Sequence, residues 1–112
     1  MNEWIDKKLY PFQSNYFDLP MGRLHYIDEG RSGHAVVMVH GNPSWSFVYR
    51  HLIKGLSKNY RCIAPDHIGF GLSDKPLGWD YYPESHAENL KTFLKALNLD
   101  SITLIEPVQY FK

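Results

Sequence analysis

His40-Gly41-Asn42-Pro43-Ser44 brings a glycine, a side-chain amide and a hydroxyl together within five residues. An apolar run, Ala-Val-Val-Met-Val at 35–39, leads into this segment, and a helical pattern follows it. Glycine at position 41 lets the backbone come close to a bound group. N–H groups at the start of a helix point outward with the positive end of the helix dipole behind them. The Asn42 amide adds donors of its own. Such a set stabilises an oxyanion or a departing anion. The same five residues also read as a tight strand-to-helix connection with no chemistry.

The other residue types that do chemistry are not spaced for it. The six histidines, at 25, 34, 40, 51, 67 and 86, form no His-Glu-x-x-His or other metal-ligand pattern. His40 is read as shaping its turn, and His86 as packing or hydrogen bonding on its helix. Gly69-Phe70-Gly71 lacks the third glycine of a dinucleotide fingerprint and opens no helix. Asp66 and Asp74 are expected to fix turns by accepting nearby N–H groups. Trp45 is expected to pack at a helix start.

The elements around these residues follow from periodicity. Asn15–Leu19 and residues 23–29 read as two short strands joined by a hairpin turn at Pro20-Met21-Gly22. Residues 35–39 are continuously apolar, rich in β-branched side chains and bounded by Gly33 and Gly41. That predicts a third strand buried on both faces. Positions 45, 48, 49, 52, 53 and 56 form one apolar helical face, with Ser44 as its expected N-cap. Residues 61–64 predict a fourth strand, stopped by Pro65. A second helix is predicted over Pro83–Leu97, with Pro83 in its first turn and Ala87, Leu90, Phe93, Leu94 and Leu97 facing inward. Residues 101–105 predict a fifth strand. The order β-β-β-α-β-α-β specifies an α/β fold with a mixed, mostly parallel sheet, antiparallel at one edge. In such sheets ligands bind beyond the carboxyl ends of the strands, where residues 40–44 fall.

Bulk properties narrow the class. The chain has 112 residues, zero formal net charge and 44% hydrophobic residues, enough to build a core. Balanced charge gives no footprint for nucleic acid or for an acidic membrane surface. No run approaches the roughly 18 apolar residues of a membrane span, and residues 1–10 lack the apolar core of a signal peptide. The single cysteine, Cys62, cannot form an internal disulfide and is expected to be buried as a small hydrophobe. The expected location is the cytoplasm.

The quoted segments carry a resemblance. Val36-Val37-Met38-Val39-His40-Gly41-Asn42-Pro43-Ser44-Trp45-Ser46-Phe47 resembles the third strand and oxyanion loop of the α/β-hydrolases, and its His-Gly-Asn-Pro form resembles the haloalkane dehalogenases. Ala64-Pro65-Asp66-His67-Ile68-Gly69-Phe70-Gly71-Leu72-Ser73-Asp74-Lys75-Pro76 is similar to that family's loop after the fourth strand. His86-Ala87-Glu88-Asn89-Leu90 and Ile102-Thr103-Leu104-Ile105 match its next helix and strand. The likeness runs from about position 4 to 105 and implies a partial α/β-hydrolase fold with the first five strands and two helices. Residues 1–105 would be part of the hydrolase core and 106–112 a divergent tail.

The resemblance also implies a chemistry. A family aspartate displaces halide from carbon, and a histidine-activated water hydrolyses the resulting ester. Asn42 would hold the leaving halide or an oxyanion, with His40, Gly41, Asn42 and Pro43 forming the substrate-binding loop. No cofactor and no metal is implied. The nucleophile should follow the fifth strand on a glycine-containing elbow. Here Glu106-Pro107-Val108-Gln109-Tyr110-Phe111-Lys112 supplies no Asp, Ser, Cys or Gly. Glu106 comes too early, and Pro107 forbids the usual geometry. The expectation is a truncated chain, by an early stop or frame change, without nucleophile, acid or catalytic histidine.

Similar blocks occur in β-lactone decarboxylases and, more loosely, in epoxide hydrolases. A non-catalytic fragment, or half of a split enzyme, stays open beside these. A small-molecule substrate is expected only if the missing half completes the site. No nucleic-acid or membrane partner is expected. Self-association is expected through an uncovered fifth strand.

Overall fold

The computed structural model describes residues 5–30 and 33–107. Residues 108–112, most of the segment expected as a divergent tail, lie outside them. Strands β1 (Asn15–Leu19), β2 (Gly22–Glu29), β3 (Ala35–Met38), β4 (Arg61–Pro65) and β5 (Ile102–Ile105) form one sheet in the order β1-β2-β4-β3-β5. β1 and β2 pair antiparallel as a hairpin, with Leu19 opposite Gly22, and β2 is antiparallel to β4. β3 runs parallel to both β4 and β5. The mixed sheet, antiparallel toward one edge, is the one expected.

Two apolar layers cover it. β3 is buried throughout. Val36 and Met38 face a cluster with Tyr10, Ile27, Ile53, Cys62 and Ala64. Ala35, Val37 and Val39 face the other cluster, with Leu24, Ile63, Ile68 and Phe93. Alternate side chains therefore serve opposite layers, as a strand's period of two requires. Helix α1 (Arg50–Leu56) supplies Ile53 to the first layer, and α2 (Pro83–Leu97) supplies Phe93 to the second. Cys62 is fully buried and unpaired, as expected, and burial raises its thiol pKa.

Three local expectations are corrected. The helix after residue 44 is split: a 3-10 helix over Ser46–Tyr49 precedes α1, and Trp45, not Ser44, is the N-cap residue, without a side-chain cap. A 3-10 turn advances the side chains further per residue than an α turn. The apolar face consequently shifts: Val48 and Leu52 are exposed, while Phe47, Tyr49, Ile53 and Leu56 pack inward. On α2, Ala87 is exposed and Asn89 is buried instead. Position 87 lies on the flank of the stripe formed by 86, 90, 93 and 97. Finally, the fifth strand starts one residue later than expected. It ends the sheet among the described residues, leaving Ile102 and Leu104 exposed.

Candidate active site

The carboxyl ends of β3 and β5 open into a cavity of about 570 Å³. Gly41, Asn42, Pro43 and Ser44 form one wall. Val48 and Tyr49 line it from the 3-10 helix, and Ile105, Glu106 and Pro107 from the end of β5. The volume falls in the usual range for small-molecule sites. The Asn42–Pro43 peptide is cis. Among the described residues, nothing hydrogen-bonds the Asn42 side-chain amide, so its donors are available at the cavity wall.

His40 lies behind this wall and does not line the cavity. Its ring is buried, and both nitrogens are engaged. Nδ1 donates to the Gly41 carbonyl at 2.8 Å, and Nε2 accepts the His67 N–H at 2.9 Å. Burial lowers its pKa, against weaker opposing effects from Gly41 and Asp66. A neutral ring with one donor and one acceptor is what these two bonds require. His40 therefore ties the loop after β3 to the loop after β4.

Asp66, at the end of β4, is the second anchor. It is fully buried. Oδ1 accepts the Ser46 N–H at 2.7 Å. Oδ2 accepts the Leu72 N–H at 3.1 Å and contacts His25 Nδ1 at 2.9 Å. Asp74 likewise accepts the Arg23 N–H at 2.7 Å. Both aspartates hold turns, as expected, but Asp66 also reaches across the sheet. It takes the N–H that opens the 3-10 helix, so that group does not face the cavity. The short helix thus has one fewer free N–H to offer a bound group than its sequence position suggests.

His67 packs on His40 and His86 packs on His67, with ring centroids 4.4 Å and 4.9 Å apart, and both are half-buried. Phe70 and Trp79 pack on their edges. Burial first, then His40 and His86, lowers His67 to about 4. Among the described residues, no group of three or more His, Cys, Asp or Glu side chains is arranged to hold a metal. Trp45 stacks on Phe47 and packs against Tyr10, as expected of a packing residue.

The segment from β3 to β5, with its glycine-containing loop at the carboxyl end of β3, is matched by a family model. Residues 34–105 fit that of the alpha/beta hydrolase fold. The chain belongs to the alpha/beta hydrolase fold family.

Within this hydrolase family, it is 48% identical over 95 residues to haloalkane dehalogenase 2 of Mycobacterium tuberculosis H37Rv, covering 85% of this chain and 33% of the relative. It is 49% identical over 100 residues to a cis-3-alkyl-4-alkyloxetan-2-one decarboxylase of Shewanella oneidensis, covering 87% and 31%. The structure of haloalkane dehalogenase DpaA from Paraglaciecola agarilytica superposes with a TM-score of 0.77 at 34% identity, covering 88% of this chain and 38% of that one. The chain spans about a third of the length of the curated relatives it matches. No described helix is long and apolar enough to cross a membrane.

Proposed function

We propose that this hydrolase-fold chain carries the leaving-group side of a displacement site, of the haloalkane dehalogenase type. The carrying observation is the Asn42 amide, unheld by any described residue, on the wall of a 570 Å³ cavity at the carboxyl ends of β3 and β5. In the proposed reaction a carboxylate attacks the carbon bearing the halogen. The carbon–halogen bond breaks, and halide leaves toward Asn42. Water, deprotonated by a histidine, then hydrolyses the ester. Asn42 stabilises charge that exists only as the bond breaks, so its contribution is to rate rather than to ground-state binding. Gly41 and Pro43 shape the loop, and His40 holds it from behind. The nucleophile, its acid and its histidine lie outside these 112 residues in this reading.

The similarity to an oxetanone decarboxylase favours a second reading. An oxetan-2-one is a β-lactone, and cleavage of its alkyl–oxygen bond releases a carboxylate instead of a halide. The same amide would receive it.

The test is a chimera in which residues 1–105 replace the matching segment of haloalkane dehalogenase 2. The chimera should release bromide from short bromoalkanes, and Asn42→Ala should lower that rate by about 10²–10³-fold. A folded chimera that opens β-lactones but releases no bromide would select the second reading. A folded chimera indifferent to Asn42→Ala would overturn both. The 112-residue chain alone should release no bromide.

A further inference from the structure

A second group of reactive side chains shares no residue with the cavity. Ser14 stands just before β1, His25 lies in β2, and Asp66 follows β4. The pairing of β1 with β2, and of β2 with β4, brings the three together. His25 is fully buried. Its Nδ1 contacts Asp66 Oδ2 at 2.9 Å, and its Nε2 contacts the Ser14 hydroxyl at 2.9 Å. An ionised carboxylate only accepts, so Nδ1 carries the proton and donates it to Asp66. In the neutral ring Nε2 is then an acceptor, and the Ser14 hydroxyl donates to it. Asp66 is itself held by the Ser46 and Leu72 N–H groups. Tyr16 packs edge-on against the ring, with centroids 5.3 Å apart. A hydroxyl bonded to a base that a buried carboxylate orients is the arrangement of an activated nucleophile. Ser14 is exposed, so a reactant can reach its oxygen. The Arg23 guanidinium lies 4.3 Å from the centroid of the Tyr16 ring and adds positive charge on the same face of the hairpin.

We infer that Ser14, His25 and Asp66 form an acyl-accepting site that takes the acyl group of a small activated carboxylic ester. Ser14 Oγ attacks the carbonyl carbon, and its proton passes to His25 Nε2. Asp66 stabilises the imidazolium that forms. The bond from the acyl carbon to the leaving oxygen breaks, and His25 returns the proton to that oxygen. The product is an ester on Ser14. Water, deprotonated in turn by Nε2, hydrolyses it and restores the hydroxyl. A serine that only satisfied a buried ring would react no faster than another exposed serine. The inference needs neither Asn42 nor the cavity.

The experiment treats the 112-residue chain with p-nitrophenyl acetate and maps the acetylated positions by peptide mass spectrometry. Ser101 is the internal control. It is also exposed and bonded to an imidazole, that of His34, whose other nitrogen meets the Thr103 hydroxyl instead of a carboxylate. Acetyl should appear on Ser14 about 10²-fold faster than on Ser101. The Ser14 rate should rise with pH as an imidazole loses its proton and then level off. Among the described residues, Asp66 from the end of β4 and Tyr16 from β1 are the titratable groups in contact with that ring. Ser14→Ala should abolish this adduct while lysine acetylation continues. His25→Gln, checked for folding by circular dichroism, should bring Ser14 to the rate of Ser101. His25 is buried, so the pH profile of the unsubstituted chain carries the same test should that variant unfold. Ser14 acetylated no faster than Ser101, or a rate that keeps rising with hydroxide, would overturn the inference. An unreactive Ser14 in a chimera that still releases bromide would discard this site alone.

Discussion

The backbone N–H of His67 donates to Nε2 of His40 across 2.9 Å, joining the loop after β4 to the loop that carries Asn42. The bond exists only while His40 Nε2 is unprotonated. His40, buried, and His67, half-buried, both with lowered pKa values, thus stand at the junction of these two loops.

Acid should therefore loosen this region. The folded pKa values of His40 and His67 are lowered, His67 to about 4 from an ordinary 6.5. A histidine whose pKa is depressed by folding binds fewer protons in the native state than in the unfolded one. Its contribution is complete above about 6.5 and is lost as the pH falls toward 4. The Tm followed by circular dichroism should drop across that window, and His67→Gln should make the drop shallower. A Tm independent of pH between these values would contradict the burial of neutral histidines.

Asp66 should be the most sensitive polar position. Its carboxylate accepts from Ser46, Leu72 and His25, all in buried or half-buried surroundings. Asp66→Ala strands these donors and should cost about 3–5 kcal/mol in urea unfolding. Gly71→Ala should also destabilise. Gly71 has φ +53°, and an added Cβ would lie 2.5 Å from Asp66 Oδ2. Either substitution behaving as wild type would remove Asp66 from its place at the centre of the loops.

The sheet's architecture was legible because its signals are local. The β3 run, the Pro20-Met21-Gly22 turn and Pro83 in the first turn of α2 each fix an element within a few residues. The helix after Ser44 was not legible, because its first free N–H is taken by Asp66, 20 residues away. Sequence spacing shows a capping serine nearby but not a carboxylate arriving from the next strand. Asn89 was missed for a related reason: a polar side chain breaks the apolar pattern that marks a buried face, yet helix phase alone places it inward. Gly41, Asn42 and Pro43 could be found from the sequence, and Glu106 was weighed there only as a nucleophile; the parallel pairing of β3 and β5 is what puts it in the same cavity as Asn42.

β5 should promote association of this chain. Ile102 and Leu104 are 42% and 46% exposed, and the strand carries no charge. A free apolar edge with no charge to blunt it invites pairing. Analytical ultracentrifugation should show mass increasing with concentration, and Leu104→Lys should suppress it. A monomer at all concentrations, unfolding in one cooperative transition, would contradict this.

Asn42 as an anion-receiving group is tested most directly by bromide itself. Bromide NMR line width should broaden on adding the 112-residue chain, broaden more with Glu106→Gln, and return to the free-ion value when Asn42→Ala is added to either. Broadening that survives Asn42→Ala, or none in the Glu106→Gln chain, would contradict it.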